Sequence, residues 1–441
     1  MTKHTKKAII NTTIFDGRKI LGLGTVVFEN GRIIEICKQQ PKDAEITDGT
    51  GTTLMPGLID AHVHTSVQFL RDALKFGITT ELEMMGGFTK KGRNAQLIGI
   101  NDIADVRSAG MGLTAPGGHP DELIPKGDGI PDFVLKEMET MSEEERTAFF
   151  AAHEAQKLAE ETGPDVTTAA GAITFVREQV ENGADYIKIM IEEGTVMNAP
   201  GLPMIDEAVL KVAVDEAHKL GKIAIAHVLT AEAAKTAVNI GVDGLAHLFI
   251  DRPTWTGKLI NSIVEKGIFV TPCLVLNSSI IGNPACELAH DKRVAPKLNE
   301  DWKMTMCSCF NTFPAGNMQD NFDNVKELFD AGVDILVGTD VSVPMPHLGG
   351  LAHGVSVHHE MQLLVEAGLK PIDALKSATS VTARRFGLSD RGIIEAGMRA
   401  DLILVKGDPT TNISDSLNIV GVWKEGESCH TSSIKANNNS I

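Results

Sequence analysis

The stretch Ile223-Ala224-Ile225-Ala226-His227-Val228-Leu229-Thr230-Ala231-Glu232-Ala233-Ala234-Lys235-Thr236-Ala237-Val238-Asn239-Ile240-Gly241-Val242-Asp243-Gly244-Leu245-Ala246-His247 carries a strand, a helix and a second strand in a single unit. The first five residues are a short apolar run of strand length that ends on a histidine. Thr230 has the side chain to cap a helix over 231–240, and Gly241 is placed to end it in a left-handed turn. Residues 244–247 are a second apolar run, again closed by a histidine. Strand, helix and strand at this spacing form the parallel βαβ unit.

Working outward, the same alternation predicts strands over 58–64, 78–84, 105–113, 186–190, 223–227, 244–248, 269–274 and 335–339. Asp206 is placed to cap a helix over 207–220 that stops at Gly221, and Pro371 suits the first position of a helix running to Thr379. Insertions at 115–131 and 277–322 blur the third and seventh repeats. Eight strands with intervening helices over roughly 330 residues predict an α/β protein built on a (β/α)8 TIM barrel. Both ends of the chain read differently. Short β-rich runs at 7–11, 25–29 and 32–36, and again at 401–405 and 418–423, predict one composite β-sandwich domain made of residues 1–55 and 388–441. The barrel is then 56–387, and the polar tail after about 427 is expected to fray.

The 41 basic against 58 acidic residues leave a formal charge of −17, which argues against nucleic acid and anionic membranes as partners. No run approaches the length of a membrane span, and the N-terminus lacks a signal h-region. Six scattered cysteines, with no C-x-x-C pair, fit neither a disulfide framework nor a zinc knuckle, so the expected location is a reducing cytoplasm. Cys307-x-Cys309 reads as buried free thiols.

In Asp60-Ala61-His62-Val63-His64 two histidines lie two apart on a strand, so both project from one face. Ligand-type residues also close other predicted strands: His227, His247 and, after Ile335-Leu336-Val337-Gly338-Thr339, Asp340. A lone histidine there is more often a core residue, but several at the ends of separate strands of one barrel point to a metal site. Strand alternation in Tyr186-Ile187-Lys188-Ile189-Met190 puts Lys188 opposite the isoleucines and so towards the interior. An ammonium has no lone pair to offer a metal. A buried lysine that has lost its proton can instead take up CO₂ as a carbamate, N6-carboxylysine, and bridge two cations; a buried lysine paired with a carboxylate explains the segment equally well.

These residues, with Leu54-Met55-Pro56-Gly57-Leu58-Ile59-Asp60-Ala61-His62-Val63-His64 and the closing Ala396-Gly397-Met398-Arg399-Ala400-Asp401-Leu402, make the chain resemble the amidohydrolase superfamily. The likeness spans nearly the whole chain. Through 186–190 and His353-Gly354 followed by 359–368, it is most similar to the prolidase and imidazolonepropionase-like branch. The resemblance implies two divalent cations, most simply Zn²⁺: His62, His64 and Asp340 on the buried one, His227 and His247 on the other, and carboxylated Lys188 between them. It implies a metal-bridging hydroxide that cleaves an amide, dipeptide or N-acyl amino acid C–N bond, with esters, lactones and carbamates within reach, and Asp340 as the catalytic proton carrier. His119 in Gly117-Gly118-His119 resembles a substrate-facing histidine of prolidase-like members; a turn histidine accounts for it equally well. Glu192-Glu193-Gly194 departs from the small residues usual after the lysine strand and argues against substrates bearing a carboxylate. The remaining histidines read as surface or core residues, with His347 and His353 near enough to the eighth strand to reach the mouth. A mononuclear zinc deaminase is the enzymatic alternative, and a metal-free barrel serving as an assembly subunit is the non-catalytic one. The expected partner is a small-molecule substrate, and the expected assembly a homo-oligomer.

Overall fold

A computed structural model of the chain describes residues 6–123 and 163–429, together with parts of 134–151. His4, His153, His430, the end of the tail and the later part of the 115–131 insertion lie outside the described residues.

The first five strands are β1 (Lys7–Phe15), β2 (Ile20–Glu29), β3 (Arg32–Cys37), β4 (Glu45–Asp48) and β5 (Thr52–Pro56). They share one eight-stranded sheet with the last three, β13 (Leu402–Lys406), β14 (Ile419–Lys424) and β15 (Glu427–Ser428), in the order β15-β14-β13-β5-β1-β2-β3, with β4 alongside β1. The two chain ends meet where β13 runs antiparallel to β5, Ile403 opposite Met55. Ile14, Phe28, Leu54, Leu402 and Trp423 from both ends form a common apolar core, so neither terminal segment buries its inner face without the other.

Between the ends the described residues form seven parallel strands. β6 (Leu58–Val63), β7 (Ile78–Glu83) and β8 (Asp105–Ser108) form one sheet, and β9 (Ile187–Ile191), β10 (Ala224–Val228), β11 (Gly244–Ala246) and β12 (Phe269–Thr271) form another. Isolated parallel bridges extend these edges: Leu113 to Ile189, Val270 to Ile335 and Val63 to Val341. The third expected strand therefore stops at Ser108, five residues early, where Gly110 turns to a φ of 67°. The eighth is held by separate bridges and hydrogen bonds, because Asp60 competes for its backbone. The Asp60 carboxylate accepts from the Thr339 amide (3.2 Å) and hydroxyl (2.7 Å), while the His62 carbonyl accepts from both Thr339 and Asp340. Gly338 is required at this crossing, since a Cβ there would collide with Thr271 and crowd His62.

Thr230 caps the helix Ala231–Ile240 through the Ala233 amide, and Gly241 closes it at a φ of 86°. Asp206 stands at the start of Glu207–Lys219 without a side-chain capping bond, and the helix after Pro371 ends at Ser377. Leu210, Ala213, Val214 and Ala217 pack that outer helix layer into the same core as Ile187, Ile189 and Ile191. Tyr186, just before β9, joins Ile59, Leu82, Ile225 and Phe269 in a cluster separate from that of the isoleucines. Period-two alternation thus sends Lys188 inward. The cysteine reading needs correction: Cys286 and Cys307 form a disulfide, 21 residues apart, because the helices Cys286–Ala289 and Glu300–Met306 lie side by side. Sequence spacing carries no sign of that packing. Among the described residues no helix is long and apolar enough to cross a membrane.

Candidate metal centre

All six ligand-type residues named from the sequence line one cavity of about 300 Å³. His62 and His64, at the end of β6, both direct Nε2 at Asp340 Oδ1, each at 3.1 Å. His64 is fixed from behind by the Met85 carbonyl, 3.1 Å from Nδ1. His247 Nε2 approaches the other carboxylate oxygen at 3.5 Å. Asp340 sits at a φ of 59°, a left-handed conformation that Asp tolerates better than most residues and that recurs at functional sites.

On the far side, His227 Nδ1 and His247 Nε2 face each other at 3.1 Å. Burial pushes both imidazoles well below their ordinary pKa, and burial with the nearby Lys188 charge takes His62 down to about 3. Neutral rings offer lone pairs, and two lone pairs aimed at one point are stable only around a shared proton or a cation. His64 is the exception. Although burial opposes its charge, Asp340 and the Met85 carbonyl raise it. Lys188 is 1% exposed and its Nζ has no hydrogen-bond partner; His62 Nδ1 and His247 Nδ1 are likewise buried and unpaired. An unpartnered ammonium in such a pocket is costly. Three imidazole nitrogens around one carboxylate, a fourth facing one of them and an orphaned amine in the same cavity make a donor set that fits divalent cations.

Several neighbours were less visible in the sequence. Glu192 is buried, with Oε2 3.4 Å from His227 Nε2 and Oε1 accepting from the Gly194 amide at 2.6 Å. Glu193, by contrast, turns outward to Thr195. The carboxylate behind His227 has the arrangement that fixes a metal-binding imidazole in one orientation. Cys273, buried at a φ of 49°, lies close enough to His62 and His247 for all three to share an ion. His119 lines the cavity, its ring centroid 4.3 Å from that of His227, and Glu122 accepts from Nδ1 at 2.6 Å. His353 and His347 do not line the cavity. His353 is buried between Glu81 Oε1 and the Ser342 carbonyl, both at 3.1 Å, where it braces the loop after Asp340; His347 is exposed.

The sequence matches the amidohydrolase family over residues 53–429. Ochratoxinase from Aspergillus niger is 25% identical over 411 residues, covering 85% of this chain and 75% of the relative. Among solved structures, a Xaa-Pro dipeptidase with methionine bound in its active site superposes with a TM-score of 0.68 at 22% identity, covering 96% of this chain and 99% of the other. Molinate hydrolase superposes with a TM-score of 0.70 at 20% identity, covering 97% and 95%. The family match spans both the strands that carry the histidines and the returning β13 and β14, and the chain belongs to the amidohydrolase family.

Proposed function

We propose that this chain is a binuclear metal-dependent amidohydrolase that cleaves a C–N bond in a small molecule, with His62, His64, Lys188, His227, His247 and Asp340 as the metal set. The observation that carries the reading is the convergence of these six residues on one cavity with Lys188 Nζ left unpartnered. On this reading residues 56–387 form the catalytic (β/α)8 barrel and 1–55 with 388–441 the β domain that joins its ends; the isolated parallel bridges at Leu113, Ile335 and Val341 support a closed barrel. Ochratoxinase and a Xaa-Pro dipeptidase as relatives support amide hydrolysis. Zn²⁺ suits a set of imidazole and carboxylate donors.

When bound, a cation pair lowers the pKa of water towards neutrality and polarises the scissile carbonyl. The chain's own residues do the rest. Asp340 takes a proton from the attacking water on a carboxylate oxygen and delivers it to the leaving nitrogen. Glu192 holds His227 with Nδ1 turned to the centre. His119, held by Glu122, leaves its second nitrogen for a substrate oxygen. Carboxylation of Lys188 would supply two oxygens that share one negative charge where the amine has no hydrogen-bond partner.

Protein purified without chelator should hold about two equivalents of a first-row metal per chain by elemental analysis, and should release amine from at least one member of a panel of N-acyl amino acids, dipeptides, anilides and aryl carbamates. Well under one equivalent in folded protein would sink the proposal. One equivalent with ammonia release would favour the mononuclear deaminase. Glu192→Ala is expected to weaken retention of metal against a competing chelator roughly 10- to 100-fold, with Glu192→Gln restoring part of it through its remaining acceptor oxygen. If Glu192→Ala retains metal like the parent, Glu192 has no part in orienting His227.

A further inference from the structure

The six residues read as the metal set make up part of the cavity lining, and the rest of that lining bears on the substrate. Apart from that set, the polar side chains among the described lining residues are His119 and Ser342. The rest of the wall is apolar, including Met190, Met197, Leu229, Leu276, Phe310 and Met345. Lys188, one of the proposed metal set, is the one ammonium among the described lining residues, and no guanidinium joins it. Two carboxylates stand just behind the wall, Glu122 on His119 and Glu192 on His227. A substrate carboxylate seated here would shed its hydration against methionine and leucine and find no fork of donors to replace it. A neutral hydrocarbon or aryl group would gain from the same wall, and flexible methionines adapt to its shape.

We propose that the cavity selects substrates that are uncharged and apolar on both sides of the scissile bond, such as neutral anilides or carbamates, and rejects N-acyl amino acids and dipeptides that keep a free carboxylate. This rests on the reading of the site as an amidohydrolase centre and narrows its substrate class.

The test uses two hexanoyl anilides that differ only at the para position, one methyl and one carboxylate, on metal-loaded protein. These groups differ little in their electronic effect on the amide, so chemistry is held nearly constant while charge changes. The methyl anilide should have a kcat/KM at least about a hundredfold higher, since an uncompensated buried charge costs several kcal/mol. Met345→Arg, which places a cation in the wall at a half-buried position, should narrow that ratio about fivefold or more. Equal or better turnover of the carboxylate anilide by the parent protein overturns the proposal. If neither anilide is hydrolysed, calorimetric titration of both into metal-loaded protein separates the two ideas. Tighter binding of the methyl compound supports the selectivity while counting against the hydrolase reading, and equal or weaker binding overturns the selectivity itself.

Discussion

Asp340→Asn should keep its metal and its fold but lose turnover by about 10²- to 10⁴-fold, the usual worth of a positioned proton carrier. The fold should survive because the residue is held by its backbone. Its amide donates to the His62 carbonyl at 2.8 Å, and asparagine is as tolerant as aspartate of a φ of 59°. An amide oxygen can still face His62 and His64, so the donor set stays nearly complete. Chemistry is what changes. The ionised carboxyl, which His247 and His62 hold well below the usual carboxylate range although burial opposes it, can accept a proton from water, and an amide cannot. The loss should fall on kcat more than on KM, since the proton moves in the transition state and not on binding. Steady-state kinetics beside elemental analysis checks this. An asparagine variant with two metals and near-parental kcat would remove Asp340 from proton transfer and leave it a ligand alone.

That the six ligand-type residues share one cavity was legible because they obey two simple periodicities. Histidines at the ends of apolar runs mark the mouth of a parallel barrel, and the alternation of Ile187, Lys188 and Ile189 sends the lysine away from the helices. The joining of the two chain ends was legible for a similar reason, since short β runs at both ends need a common face to bury. The supporting contacts were not. Nothing in Glu192-Glu193-Gly194 says which carboxylate turns in; the bond from the Gly194 amide to Glu192 decides it, and a backbone turn leaves little trace in composition. His353 could be read only as a surface or core residue within reach of the mouth; Glu81, 272 positions away, is what draws it into the interior. The partners of Asp60, Thr339 and of Cys286, Cys307 likewise depend on packing between distant segments. What a residue does at the end of its own strand could be read locally. What holds it there comes from elsewhere in the chain.

Lys188→Ala should lower metal content below two equivalents and cut activity about a hundredfold or more, given that even outer partners of a metal centre are worth roughly 10- to 100-fold. Burial lowers the Lys188 amine to about 8, so near neutrality part of the population carries the lone pair that attack on CO₂ requires. A carbamate there would bring a negative charge beside one aspartate and four histidines, three of which burial keeps neutral; without it, two cations would repel each other across a poorly solvated gap. A short carboxylic acid has nearly the shape of the missing carbamate head. Millimolar acetate or propionate, added with Zn²⁺, should therefore return part of the activity to the alanine variant and none to a variant at Asp340. A purely structural lysine predicts otherwise. Since Nζ has no hydrogen-bond partner, its removal would break no ion pair, leave metal stoichiometry unchanged and make the variant indifferent to added acid. Parental protein equilibrated with ¹³C-labelled CO₂ should also show a carbamate carbon resonance that Lys188→Ala lacks. If the alanine variant keeps two metals and parental turnover, the carbamate assignment is wrong, and a centre assembled from the histidines and Asp340 alone replaces it.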